Sequence, residues 1–160
     1  MYDKDKIDLI VKQVVESVKA SNGNKMTLSL ALALTEKVKQ RAAEMGVKAV
    51  VAVADAGANT ISLQSMDGAY IASADIAVNK AFTVVSLKMP TKDLATLAAP
   101  GGSLYGIQFT NGGRIVIFGG GVPLYSNDGQ IIGGIGISGG TAEQDTALGD
   151  YAGEIFKTLI

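Results

Sequence analysis

Hydrophobic spacing divides the chain into helical and strand-like stretches. Ile7, Ile10, Val11, Val14, Val15 and Val18 recur every three or four residues with Lys and Glu between them, which predicts an amphipathic helix over residues 3–20. Ser21-Asn22-Gly23-Asn24 supplies the turn chemistry to end it. Thr27 suits the N-cap of a second helix, with Leu30, Leu34 and Val38 on its inner face and Gly46 just past its end. Val47 to Ala54 is a valine-rich apolar run and reads as a buried strand. Asp55 to Asn59 turns the chain, and Thr60 to Met66 alternates as the returning strand of a hairpin. Residues 71–89 predict a third helix, which Pro90 stops, with Asp75, Lys80 and Lys88 as its only charges. Apolar residues nearly encircle it, so one side should face the sheet and the other is open to a second subunit. Thr91 suits the N-cap of a short helix through Leu97.

The block from Pro100 to Gly140 holds fourteen of the twenty glycines. Ile107–Thr110 and Arg114–Phe118 flank Asn111-Gly112-Gly113, and Val122–Ser126 and Gln130–Ser138 flank Asn127-Asp128-Gly129. Both read as hairpins. Thr141 then opens a last helix with a capping box to Gln144, and Glu143 and Asp145 complement its positive start. Helices alternate with hairpins rather than single strands. This predicts one α+β domain spanning 1–160, with a mainly antiparallel sheet of about five strands and helices on its faces.

Charge narrows the functional classes. Apolar residues make up 48%, charged residues 18%, and the net charge is −1. Such a surface favours a homo-oligomer and gives no basic stripe for nucleic acid. No apolar run is long enough to cross a membrane and no leader is evident, which predicts a soluble, cytoplasmic protein. Cysteine and histidine are both absent. Disulfides, Fe–S clusters, thiolate catalysis, zinc enzymes and histidine triads are excluded, and no catalytic or metal-binding residue is assigned.

Two literal motifs fail on context. Gly136-Ile137-Ser138-Gly139-Gly140 spells a nucleophile elbow without any base. Gly134 to Gly139 spells a dinucleotide fingerprint and precedes a helix, but the motif needs an acidic residue about 20 positions on inside a βαβ unit, and the sequence stops at Ile160. The simpler reading is that these glycines let a strand pack closely on a helix. Gly139-Gly140-Thr141 could hold an anion, but Glu143 and Asp145 already neutralise that helix start. Tyr70, Tyr105 and Tyr125 offer rings or a phenolate, and Met66 and Met89 offer thioethers, although half-buried packing of the tyrosines and core filling by the methionines is the favoured reading.

Arg114 is the only charged residue between Asp93 and Asp128. Either it pairs with Asp75, Asp93 or Asp128, or its guanidinium clamps a carboxylate or phosphate from a ligand. Lys80, alone on an apolar stretch, poses the same choice, with snorkelling to solvent as the plain alternative. Lys80 and Tyr105 would assist Arg114 at the ligand. Gly101, Gly102, Gly112 and Gly113 would allow a ligand close to the backbone.

Several motifs carry a family resemblance. They are Val53-Ala54-Asp55-Ala56-Gly57, Met66-Asp67-Gly68-Ala69, Asn79-Lys80-Ala81-Phe82-Thr83, Pro100-Gly101-Gly102, Tyr105 through Arg114, Phe118 through Leu124, Ile135 through Gly140, and Glu143-Gln144-Asp145. In order and spacing, over about residues 26–160, the chain resembles the GlcG/HbpS family, also seen as the C-terminal domain of PduO. The resemblance implies a profilin-like fold and oligomers from dimer to octamer. It also implies haem or corrinoid association in some members, haem degradation in a few, and work beside B12-dependent enzymes of glycolate, diol or glycerol metabolism. Iron ligation by histidine does not carry over, because this chain has none.

Overall fold

The structure, a computed structural model, describes residues 3–20 and 24–160. The turn expected at Ser21–Gly23 and the Val18 side chain lie outside the described residues. Five helices and four strands follow one another as α1 (Lys4–Ala20), α2 (Leu28–Glu44), β1 (Val50–Asp55), β2 (Thr60–Ser65), α3 (Ala72–Leu87), α4 (Thr91–Ala98), β3 (Gly121–Tyr125), β4 (Ile131–Ser138) and α5 (Ala142–Phe156). The strands form one antiparallel sheet in the order β2-β1-β4-β3. The α+β class therefore holds, with four strands instead of about five. No described helix is long and apolar enough to cross a membrane.

The strand alternation of β1 sets the layers. Val51 and Val53 join Leu30, Leu34, Ile135, Ile137, Leu148 and Phe156 in the larger core, beneath α2 and α5. Val50, Ala52 and Ala54 face the other way, against Ala77 and Ala81 of α3. Small residues dominate this second interface for a steric reason. A Cβ built on Gly136 would lie 2.0 Å from the Ala77 carbonyl oxygen, and one on Gly134 2.6 Å from a Val84 methyl. Gly134 and Gly136 of the apparent dinucleotide fingerprint thus serve helix–strand contact. Helix α1 packs on α2, where Lys37 bonds Asp8 at 2.5 Å and holds that carboxyl below its usual range.

The helix ends follow their sequence signals. Thr27 caps α2 by accepting from the Leu30 amide, and Thr141 and Gln144 form the complete capping box of α5. Thr91 is the first residue of α4 rather than its cap, and its hydroxyl accepts the Gly121 amide across the fold.

Residues 107–118 do not form the expected hairpin. They run through two short 3₁₀ turns, Ile107–Phe109 and Asn111–Gly113, into irregular backbone without a ladder partner. A two-residue hairpin turn uses two left-handed residues. Here Asn111, Gly112 and Gly113 are all left-handed, with φ of 51°, 64° and 79°. The chain after them turns onto α3, where the Thr83 hydroxyl accepts from the Val116 amide at 3.0 Å and also lies 3.3 Å from the Arg114 carbonyl. A helix side chain thus replaces the missing strand.

Candidate functional site

The segment from Ala99 to Phe118 carries most of the residues singled out from sequence, and its last part, from Arg114 to Phe118, contacts α3. Its turns are locally bonded, from Gly102 to Ala99 at 2.7 Å and from Leu104 to Leu97 at 2.9 Å. The four candidate glycines divide into two kinds. A Cβ on Gly102 would lie 2.2 Å from the Leu97 carbonyl oxygen, so Gly102 is required by its own backbone. Gly101, Gly112 and Gly113 have φ of 83°, 64° and 79° and open space where a side chain would stand. Only these three leave room for a ligand near the backbone.

Arg114 is exposed, and among the described residues no carboxylate pairs with it. Asp128, one expected partner, instead accepts from the Ser126 hydroxyl, which holds its carboxyl below the usual range. Two residues of α3 position the guanidinium. Its Nε donates to Asn79 Oδ1 at 3.3 Å, and its carbon lies 3.7 Å from the Phe82 ring centroid. Asn79 and Phe82 stand three apart on one helix face, so both reach the same group. With Nε and one face engaged, the two terminal nitrogens remain available, in the fork geometry that binds a carboxylate through two parallel bonds. Tyr105 and Phe109 on the same segment are 67% and 83% exposed, and Ile71 at the start of α3 is 98% exposed. This surface is open: Arg114, Tyr105, Phe109 and Ile71 line none of the cavities of about 250 to 480 Å³.

Lys80 lies elsewhere, beneath the surface. It is fully buried, and its Nζ donates to Asp145 Oδ2 at 2.9 Å and to the Ile137 carbonyl at 2.6 Å. The Phe118 ring centroid lies 5.0 Å from the same ammonium. Burial pushes the Lys80 ammonium below its ordinary 10.5, while the Asp145 charge and hydrogen bond pull it back up. Lys80 neither snorkels nor faces a ligand; it ties α3 to β4 and α5. Asp145 also accepts the Gly140 amide at 2.9 Å. Gly120 makes room for the pair, since a Cβ there would lie 2.7 Å from Lys80 Nζ.

The structure thus places Arg114, Tyr105, Gly101, Gly112 and Gly113 on one exposed segment and separates Lys80 from them. Asn79 and Phe82, which hold Arg114, sit on either side of Lys80 in the Asn79-Lys80-Ala81-Phe82-Thr83 motif. Their helical spacing was a readable signal, but nothing in the sequence shows that Arg114 crosses that helix face. Met66 is committed internally, with its sulfur accepting the Ala49 amide at 3.4 Å. Among the described residues no cluster of carboxylates could hold a metal ion.

Residues 26–152 match the family model described as haem degrading protein HbpS-like. An uncharacterised 15.0 kDa protein from the dhaT–dhaS intergenic region of Citrobacter freundii is 45% identical over 84% of this chain and 94% of its own length. The corrinoid adenosyltransferase PduO of the same organism is 32% identical over 91% of this chain, which spans only 44% of that longer protein. A solved structure of a PduOC–haem complex superposes with a TM-score of 0.77 at 35% identity, covering 81% of this chain and 94% of the other. Helix α1 lies outside the family match. The chain belongs to the HbpS-like family.

Proposed function

We propose that this protein is an oligomeric ligand-binding module that takes a flat, acid-bearing molecule of the haem or corrinoid type, or a smaller carboxylate, at Arg114. The observation that carries the reading is a guanidinium fixed by Asn79 and Phe82 with no carboxylate partner among the described residues. Tyr105 and Phe109 supply exposed aromatic faces on which a planar ring can stack. The complex of the related PduOC protein with haem supports the ligand class.

The residues present fit the acid groups and faces of a tetrapyrrole but not histidine ligation of its iron, since the chain has no histidine. Lys80 and Met66 are engaged inside the fold. The exposed Tyr105 phenol remains as an oxygen ligand, beside a purely hydrophobic grip. The apolar outer surface, with Ile71 and Phe109 nearly bare, favours assembly with further copies of the chain. We place the module in the cytoplasm, as an accessory to diol, glycerol or glycolate metabolism.

Titration of haem and cobalamin into wild type and Arg114→Ala, with a circular-dichroism melt of each, tests the assignment. Weaker binding at unchanged melting temperature is expected. Equal affinity in the two proteins would remove Arg114 from the site. A second reading, favoured by the same exposed apolar surface, is an accessory protein that docks on a B12-dependent dehydratase or its reactivation machinery. It predicts capture of that enzyme without any Soret change. A third, that the chain degrades haem, predicts loss of haem absorbance on adding a reductant.

A further inference from the structure

A second place in the fold has the makings of a binding site, and it does not depend on Arg114. Between the starts of α3 and α5 lies a cavity of about 250 Å³, lined by Ser73, Ile76, Phe118, Ser138, Ala142 and Asp145 among others. Ser73 and Ser138 are buried, at 3% and 4% exposure, and their hydroxyl oxygens lie 3.1 Å apart. Two hydroxyls carry two protons but share one bond. Among the described residues neither hydroxyl has another hydrogen-bond partner, so one proton lacks an acceptor. A buried donor left in that state is destabilising, and this one stands in the cavity wall.

Asp145 gives the same cavity the complementary capacity. Its two carboxylate oxygens accept one bond each, from the Gly140 amide and from Lys80. Each such oxygen can accept two. The Lys80 ammonium balances its charge, so the lining as a whole is neutral. Ile76, Phe118 and Ala142 supply apolar walls. The volume is below that of sites for drug-sized molecules, which points to a ligand of a few heavy atoms.

We propose that this cavity binds a small neutral molecule bearing hydroxyl groups, of the class of short-chain alcohols and diols. A hydroxyl oxygen accepts from the serine pair, and a hydroxyl proton goes to Asp145. A carboxylate satisfies the serines equally well but brings a second negative charge to Asp145, so anions are disfavoured. Water competes for the same polar groups.

The test is a titration of the full chain with propane-1,2-diol and, separately, with propionate, followed through amide chemical shifts. The diol should shift the Ser73, Gly139 and Gly140 amides saturably, and propionate should not. The Ser73→Ala, Ser138→Ala double variant should bind the diol about tenfold more weakly. An absence of saturable shifts would mean that the cavity holds only water and overturns the proposal. An equal response to propionate, or unchanged diol affinity in the double variant, overturns it as well. If that variant does not fold, the wild-type shift map decides: shifts centred away from these residues refute the site.

Discussion

Replacing Asp145 by asparagine removes the negative half of the Lys80 pair while keeping its shape. Lys80 is fully buried, and among the described residues Asp145 Oδ2, 2.9 Å away, is the only carboxylate paired with it. Breaking a buried pair on one side costs about 3–5 kcal/mol, because the remaining charge is left uncompensated. An upper bound follows from the escape open to lysine. Starting from its ordinary 10.5, holding an amine neutral at pH 7 costs about 5 kcal/mol at roughly 1.4 kcal/mol per pH unit. A chain of this length loses about 2–4 °C in Tm per kcal/mol, so a fall of roughly 6–20 °C is expected.

The pH dependence is the sharper part of this prediction. Burial already lowers the folded Lys80 ammonium below 10.5. In the window between the folded and unfolded values the unfolded chain binds more protons, so stability rises with pH there. Losing Asp145 removes the charge and hydrogen bond that pull the folded value up, and the window extends downward. The Asp145→Asn deficit should therefore shrink as pH rises from neutrality toward 10, by up to about 1.4 kcal/mol per unit. Urea denaturation at a series of pH values measures it. A Tm loss below about 2 °C, or a deficit that grows with pH, would refute the reasoning.

Other expectations follow from single contacts. Lys80→Met should cost less than Asp145→Asn, because Asp145 keeps the Gly140 amide and the positive start of α5; matched denaturation curves compare the two. Gly136→Ala pushes a methyl against the Ala77 carbonyl and should destabilise by about 1–3 kcal/mol or more by prising β4 from α3, again read from denaturation. Thr141→Ala removes one half of the α5 capping box and should cost about 1 kcal/mol in the same assay. Phe82→Ala frees the face of the Arg114 guanidinium and should weaken haem binding in a Soret titration, even with Arg114 present.

Where the signal was local, the fold was legible in the sequence. The capping residues Thr27 and Thr141, the glycine past α2 and the valine run of β1 each act within a few residues of themselves. The glycines of β4 were also readable as packing glycines, although the carbonyl that demands Gly136 belongs to α3. The segment 107–118 misled because apolar stretches flank Asn111-Gly112-Gly113, which spells a hairpin turn. Its backbone partner proved to be the Thr83 hydroxyl, which no strand period encodes. Lys80 and Asp145 are 65 positions apart. Each had a plausible local role, as a snorkelling lysine and as a helix-start acid, and only the folded chain joins them. For Arg114 the sequence posed a choice between an internal carboxylate and an external one. Among the described residues the guanidinium rests on Asn79 and Phe82 without the former.

The most direct measurement compares haem with its dimethyl ester, which keeps the flat ring and loses both acid groups, in Soret titrations of the wild-type protein. If Arg114 clamps a ligand carboxylate, the ester should bind at least about tenfold more weakly, and Arg114→Ala should erase that difference. Equal affinity of haem and ester for the wild type would contradict the account.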